Sequence, residues 1–324
     1  MNLFSEMELG PYLLCWFDRY AYRLARNTAR GYLVNIRSHI IPRLGSVRLC
    51  DLRPLLLEDF YAALRADGLS GTTCLYVHSV LRKALNSAVR WELLPRNPAE
   101  LLEAPRKSRQ KIAPLRPGEV AALVEGCQAY PVPCVRMAVL LGLLLGLRRG
   151  EVLGLQWKDF DFLAGTVSIR RTATPDKAGP GGYVVSEPKT ANSVRTLLLA
   201  STLAQCLGAW QSQAEPNPEG FLFWYNGALM RSCFLVRHFH RILDACGLSR
   251  IRFHDLRHTN ATFLLQANVP AKIVSVMLGH SGIGVTMDIY AHVLTEMQRP
   301  ASEAVGRLLA DKPPLEGPGS CSPV

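Results

Sequence analysis

Long apolar runs are missing from this chain of 324 residues. The longest, Met137–Leu147, is bounded by Arg136 and Arg148 and falls well short of the ~20 residues that a membrane-spanning helix needs. It is typical of a buried helix. The opening segment, MNLFSEMELG, has neither a basic nor an apolar region, so we do not expect a secretory signal. These absences predict a cytoplasmic protein with no membrane partner.

Paired cysteines are also absent. The chain has nine cysteines, an odd number, and no Cys-x-x-Cys pair, which argues against a disulfide framework. Several of them, such as Cys74 and Cys246, lie within helical patterns. This usage is typical of reduced thiols that pack as small apolar residues.

Acidic residues are in short supply relative to basic ones. The chain has 37 Lys and Arg against 26 Asp and Glu, a formal charge of +11. The excess is +6 in residues 1–110 and +5 in residues 111–324. Positive charge in both halves indicates a polyanionic partner that touches both, and nucleic acid is the leading candidate.

The first hundred residues have the pattern of helices with short connections. Thr28–Ile40 predicts a helix with Thr28 as N-cap that ends before Pro42, and Leu56–Ala66 predicts one that closes at Gly68. The clearest helix is Ser70–Glu92, because small and apolar residues recur on one face. Three basic residues on its other face are candidate DNA contacts: Arg82, Lys83 and Arg90.

The stretch 95–111 is rich in proline and basic residues and lacks sustained periodicity, which is typical of an interdomain connection. Arg106 and Lys107 lie in it, and they fit either a solvated tether or a strap over phosphates. We expect a helical domain over 1–104, a linker over 105–111, a second domain over 112–310 and a disordered tail over 311–324.

The second domain is predicted to be mainly helical around a small antiparallel β-sheet. Helices are expected after Pro117 and over Val135–Leu147. Three β-like runs follow, VSIR, YVVSE and SVRTLLL. The later pattern is helical again, with predicted helices at Thr202–Gln213, Cys233–Cys246, His254–Ala267, Ala271–Leu278, Gly284–Leu294 and Thr295–Leu309. The fold class is therefore mainly α with a small antiparallel sheet.

Three short segments carry residues suited to phosphate chemistry. GLRRGEVLGL places Arg148, Arg149 and Glu151 at the end of the apolar helix, where a guanidinium fork could meet a phosphate. HDLRHT places His254, Arg257 and His258 on one helix. LGHSGIGVTMDIY brings His280 ten residues before Tyr290.

A zinc pair at His254 and His258 has suitable spacing. It lacks the adjacent Glu of the metalloprotease motif, and no third ligand is evident. We therefore expect neither a metal nor a cofactor.

The order of Arg148, Lys189, the His254–His258 segment, Gly279–His280 and Tyr290 resembles the tyrosine recombinase (phage integrase) family. The resemblance covers roughly residues 8–300. It implies a helical core-binding domain followed by an α+β catalytic domain. The resemblance alone selects Arg148 over Arg149.

The resemblance also implies the catalytic roles. Tyr290 would be the nucleophile that forms a 3′-phosphotyrosine, and Arg148 and Arg257 would hold the phosphate oxygens. His254 would be a general base or hydrogen-bond donor, and His280 would donate to the phosphate. Glu151 and His258 would support them. Lys189 would protonate the leaving 5′ oxygen, although Lys177 is an alternative.

The implied partner is double-stranded DNA, bound by a tetramer on two DNA sites, with accessory DNA-bending factors an option. The helix Thr295–Leu309 fits docking onto a neighbouring protomer or packing on its own domain, and cis or trans delivery of Tyr290 stays open. Two other functions remain: a catalytically inactive DNA-binding protein on the same scaffold, and an enzyme like a type IB topoisomerase.

Overall fold

Two units make up the chain, Met1–Lys111 and Ile112–Val324. The computed structural model describes residues 6–108, 114–175, 182–187 and 193–280, together with 282, 284 and 287. In these ranges no helix combines the length and apolar character needed to cross a membrane. The predicted helices at 284–294 and 295–309, and the tail, lie outside the described residues apart from positions 284 and 287.

Helices form the first unit, and their apolar faces meet in one core. The helices are α1 Leu9–Tyr20, α2 Arg26–Asn35, α3 Ile41–Leu44, α4 Pro54–Ala66 and α5 Gly71–Arg90. The Ser70 hydroxyl accepts from the Thr73 amide at 3.2 Å and caps α5. Cys74, Val77 and Leu81 are fully buried on one face of α5. The prediction for this helix is confirmed, and Gly68 closes α4 at φ 84° as expected.

The prediction for residues 28–40 is wrong at both ends. The helix begins at Arg26, so Thr28 lies inside it rather than at the N-cap. It also runs on through a π-turn at Ile36–Ile40 into α3, past Pro42. Proline lacks the amide hydrogen that a regular helix would use. Here it falls in the first turn of α3, where that donor is not required.

The start of the stretch 95–111 belongs to the core of the first unit. Asn97 and Ala99 are buried there, and Pro98–Leu101 forms a 3₁₀ turn capped by Asn97. A proline-rich segment can therefore pack without helical periodicity. The hydroxyl of Ser108 accepts from the Gly71 amide at 2.8 Å, so position 108 is also attached to the first unit.

Further helices build the second unit around its own core. They are α6 Pro117–Ala129, α7 Pro133–Leu144, α8 Arg149–Leu153, α9 Ser201–Gln211, α10 Ser232–Ala245, α11 Asp255–Gln266 and α12 Ala271–Leu278. Helix α7 is apolar almost all round, as expected for a central helix. It packs against α6, α10 and α11. Gly142 lets α7 approach Phe253 and Leu256 closely.

Short antiparallel strands lie beside these helices. They are β1 Phe160–Asp161, β2 Thr166–Ile169, β3 Thr172–Pro175, β4 Tyr183–Ser186, β5 Arg195–Leu198, β6 Trp224–Tyr225 and β7 Ala228–Leu229. One sheet has the order β1-β2-β5, and β3-β4 and β6-β7 form separate pairs. The predicted fold class is confirmed. The three predicted runs do not share one sheet, however, because YVVSE pairs with Thr172–Pro175 instead of VSIR.

Candidate active site

Arg148 is presented at the point where the chain leaves α7. Gly146 turns the chain at φ 61°, and a side chain there would collide with Leu278 and Asn260. The Arg148 guanidinium then lies between two acceptors: Nη1 donates to Oε1 of Glu151 at 2.6 Å, and Nη2 donates to the carbonyl of Gly279 at 2.8 Å. The neighbouring Arg149 is exposed, so the geometry places Arg148 in the cluster.

Glu151 is almost fully enclosed, with 3% of its side chain exposed. Burial alone would raise its pKa, but hydrogen bonds and the charges of Arg195 and Arg148 outweigh burial and hold the pKa below its usual value. The carboxylate is therefore ionised and shared between two guanidinium groups.

Arg195 is the second partner of Glu151, and the sequence analysis did not single it out. Its Nη2 lies 3.0 Å from Oε2 of Glu151, and its side chain is 5% exposed. The signal was present in the strand SVRTLLL. Because strand residues alternate between faces, Arg195 must share the inward face with Leu197. An arginine on a buried strand face calls for a charged partner.

Arg257 is the most enclosed cation of the cluster, at 1% exposed. Its Nη1 donates to the carbonyl of Gly146 at 2.9 Å, while its Nη2 is buried and has no partner among the described residues. Burial and the charge of Arg148 lower its pKa to about 9, so the guanidinium still carries its charge at neutral pH. A buried donor without an acceptor destabilises the protein. An anion that enters the site would supply the missing acceptor.

Three histidines surround these arginines. His254 and His258 lie edge to face with ring centroids 5.0 Å apart, and Nδ1 of His258 is buried without a partner in the described part of the chain. His280 follows Gly279, which ends α12 in the left-handed conformation. Desolvation and nearby cationic groups lower the pKa of both His254 and His280 to about 4. All three imidazoles are therefore neutral at pH 7, because desolvation also lowers the pKa of His258.

The cluster is an anion-binding arrangement. Three guanidinium groups and the Glu151 carboxylate leave two positive charges in excess among these described residues. Neutral imidazoles add groups that can each donate one hydrogen bond or accept a proton. Cations fixed in a partly dry site interact with a phosphate more strongly than they would in water.

The structure thus brings together six of the predicted site residues: Arg148, Glu151, His254, Arg257, His258 and His280. Lys189, its alternative Lys177, and Tyr290 lie outside the described residues. Their roles stay predictions.

The predicted DNA contacts of the first unit are all exposed, namely Arg82, Lys83, Arg90, Arg106 and Lys107. Arg82 lies 3.4 Å from the Glu100 carboxylate, an exposed pair of small energetic value. Lys83 lies over the ring of Tyr20 at 5.2 Å from its centroid. Their role in DNA binding stays a prediction.

The cluster is a site suited to a phosphate, because it presents fixed guanidinium groups and imidazoles. Residues 114–297 match the phage integrase family, and residues 9–65 match the domain described as "Phage integrase, N-terminal SAM-like domain". Because the first match covers more than half of the sequence, the chain belongs to the phage integrase family.

Named relatives agree with that assignment. A tyrosine recombinase XerC-like protein of Caldanaerobacter subterraneus subsp. tengcongensis is 27% identical over 333 residues, covering 94% of this chain and 84% of that protein. The ICEBs1 integrase of Bacillus subtilis (strain 168) is 26% identical over 262 residues, covering 78% of this chain and 70% of that protein. The predicted family and enzyme class are confirmed: the chain is a tyrosine recombinase.

Solved structures share the fold. The integrase of transposon Tn1549, in complex with a circular intermediate DNA, has a TM-score of 0.77 at 22% identity and covers 90% of this chain and 99% of that chain. A lambda integrase tetramer bound to a Holliday junction has a TM-score of 0.69 at 19% identity, with coverage of 88% and 78%.

Proposed function

We propose that the protein is a site-specific recombinase that cleaves and rejoins duplex DNA through a 3′-phosphotyrosine intermediate. The observation that supports this most directly is Arg257, a buried guanidinium whose Nη2 has no acceptor among the described residues. It stands beside Arg148 in a cluster with excess positive charge, within a chain of the phage integrase family. A scissile phosphate supplies the missing acceptor.

Each described residue has a role that follows from its surroundings. Arg257 and Arg148 donate to the non-bridging oxygens of the phosphate, and their interaction strengthens as charge develops in the transition state. His280 is neutral, because its pKa is lowered to about 4, so it donates one hydrogen bond to the phosphate without adding charge. His254 is neutral for the same reason, and the negative charge of a bound phosphate raises its pKa so that it can accept a proton.

The bond changes balance without an outside energy source. The phenolic oxygen of Tyr290 bonds to phosphorus and its proton passes to His254, while the bond from phosphorus to the 5′ oxygen breaks. Lys189 gives a proton to that oxygen. One phosphoester replaces another, so the 5′ hydroxyl of a second strand can reverse the step. Neither a metal nor a cofactor is needed in this scheme.

The partner of this chemistry is double-stranded DNA. The exposed basic residues of the first unit, Arg82, Lys83, Arg90, Arg106 and Lys107, contact phosphates and make binding sensitive to salt. We further propose that the protein acts as a tetramer on two DNA sites, as suggested by the lambda integrase tetramer on a Holliday junction. Its compartment is the cytoplasm, where the DNA of its bacterial relatives lies.

Covalent trapping tests the proposal. The protein is incubated with a library of nicked duplexes of random sequence, DNA that stays attached to the denatured protein is captured, and it is then released with protease and sequenced. We expect a recovered consensus with wild-type protein and none with Tyr290→Phe. Tyr183→Phe is the matched control, because the Tyr183 hydroxyl contacts Glu219 at 3.3 Å, away from the cluster. We expect that variant to trap DNA normally.

The recovered duplex also separates the alternatives. Lys189→Ala should block cleavage and Lys177→Ala should not. The opposite result would assign the role of proton donor to Lys177. Adducts in Tyr290→Phe would refute the nucleophile. Salt-sensitive binding without any adduct would favour an inactive DNA-binding protein. Relaxation of supercoiled plasmid without exchange between two copies of the recovered site would favour a topoisomerase.

A further inference from the structure

Arg195 occupies a position where arginine is rare. Strand β5 alternates buried and exposed residues, and Arg195 lies on the buried face with Leu197, opposite Ile169 of β2. Its side chain is 5% exposed. Because a buried cation loses much of its solvation, this residue needs several strong partners to offset the cost of burial.

Protein acceptors occupy every nitrogen of its guanidinium. Nε donates to the Met277 carbonyl at 2.6 Å, and Nη1 donates to the Ser193 carbonyl at 3.0 Å. Nη2 donates to Oε2 of Glu151 at 3.0 Å, and Nη1 also lies 3.4 Å from Oε1. Arg195 therefore differs from Arg257, whose Nη2 is unpartnered among the described residues. Its contacts suit it to hold the protein together, because each of its three nitrogens donates to a protein acceptor.

These contacts join three segments of the candidate active site. Glu151 carries the salt bridge to Arg148. Met277 lies at the end of α12, two residues before the Gly279 carbonyl that receives Nη2 of Arg148 and three before His280. Through one side chain, β5 fixes both acceptors of the Arg148 guanidinium in relation to each other.

Arg195 also changes the charge that Arg148 presents. If Glu151 had Arg148 as its sole partner, the carboxylate would neutralise that guanidinium one to one. Because Arg195 shares the carboxylate, the trio of Arg148, Glu151 and Arg195 keeps one positive charge in excess. That excess remains available to an incoming phosphate.

We propose that Arg195 is a positioning residue for DNA cleavage: it orients Arg148 and keeps its charge available, without touching the DNA. The inference rests on the proposed function. Displacing a catalytic group by about 1 Å can cost up to ~100-fold in rate, so we expect Arg195→Gln to slow adduct formation by about 10- to 100-fold. Arg195→Lys keeps the charge but cannot reach three acceptors at once, and we expect it to recover part of the rate.

The experiment compares single-turnover adduct formation on the duplex trapped by wild-type protein, DNA affinity in gel shifts, and thermal stability. Arg171→Gln is the matched control, because Arg171 forms a largely buried pair with Asp159 at 2.6 Å in the same unit. We expect both Gln variants to lose stability, but only Arg195→Gln to lose cleavage while its affinity changes less than about three-fold. Equal cleavage loss in both, or a wild-type rate in Arg195→Gln, would overturn the inference.

Failure of the proposed function would look different. In that case the wild-type protein would trap no duplex at all. The crystal structure of Arg195→Gln would then decide the positioning role: the Arg148 guanidinium leaves the Gly279 carbonyl if Arg195 holds it there, and stays if Arg195 does not.

Discussion

Replacing Arg257 with methionine should make the DNA-free protein more stable while abolishing cleavage. Arg257 is 1% exposed, and its guanidinium donates to the Gly146 carbonyl while Nη2 has no acceptor among the described residues. Burial and repulsion from Arg148 and Arg195 lower its pKa to about 9, and this shift from the usual value of arginine corresponds to roughly 4–5 kcal/mol against the charged form. Methionine has a similar length and no charge to bury.

Part of that gain is lost again, because the Gly146 carbonyl loses its donor at a cost of about 1–3 kcal/mol. The net expectation is a gain of about 2 kcal/mol in the free energy of unfolding, or a rise of about 4–8 °C in the melting temperature of a unit of this size. Scanning calorimetry of the DNA-free protein measures it. On the trapped duplex, the same variant should cleave at least ~100-fold more slowly.

Arg171→Met serves as the control with the opposite sign. Its partner Asp159 has 2% of its side chain exposed, so the variant leaves a buried carboxylate without its cation. We expect a loss of about 3 kcal/mol. If Arg257→Met lowers the melting temperature as Arg171→Met does, the reasoning that Arg257 is held at a cost is refuted.

Three further outcomes are expected. Gly146→Ala should destabilise the second unit by about 1–3 kcal/mol in denaturant titrations, because φ is 61° there and the added methyl meets Leu278. The DNA-free protein should lose stability as the pH falls from about 6.5 to about 4. In that window His280 binds a proton in the unfolded chain but not in the folded protein. His280→Asn should therefore make the decline in stability shallower, as measured by melting temperatures across this pH range. Ser70→Ala should cost the first unit about 1 kcal/mol, measured by chemical denaturation, because the Thr73 amide loses its cap.

Local patterns were enough to predict much of the fold. The apolar face of α5 and the glycine that closes α4 depend on neighbours within one or two turns, so their sequence determines them. Residues 94–102 were harder, because Ala99 is buried through contacts with distant helices rather than through periodicity. The partner of β4 was also missed. Strand pairing depends on loop geometry and on which face meets the core, and the sequence of a short β-like run contains little information about either.

The candidate site divides in the same way. Arg148, His254, Arg257 and His280 could be predicted because they fall in motifs that the resemblance picks out. Arg195 could not, because its meaning depends on Glu151, 44 residues earlier in the chain, and on the Met277 carbonyl, 82 residues later. Because every residue has a main-chain carbonyl, the sequence does not indicate which one accepts a hydrogen bond from Arg195.

The fold brings together cationic groups that repel one another in the candidate site. The charge of Arg148 lowers the pKa of Arg257, and both arginines lower the pKa of His254 and His280. Hydrogen bonds to Glu151 and to the carbonyls of Gly146 and Gly279 offset part of this repulsion. The apolar packing of α7 against Phe253 and Leu256 adds to them, because it fixes the start of α11 beside the end of α7. The hydrophobic core thus supplies part of the energy that holds an electrostatically unfavourable cluster ready. A bound phosphate would make the electrostatic energy of the cluster favourable, because one anion attracts every cation of the cluster at once.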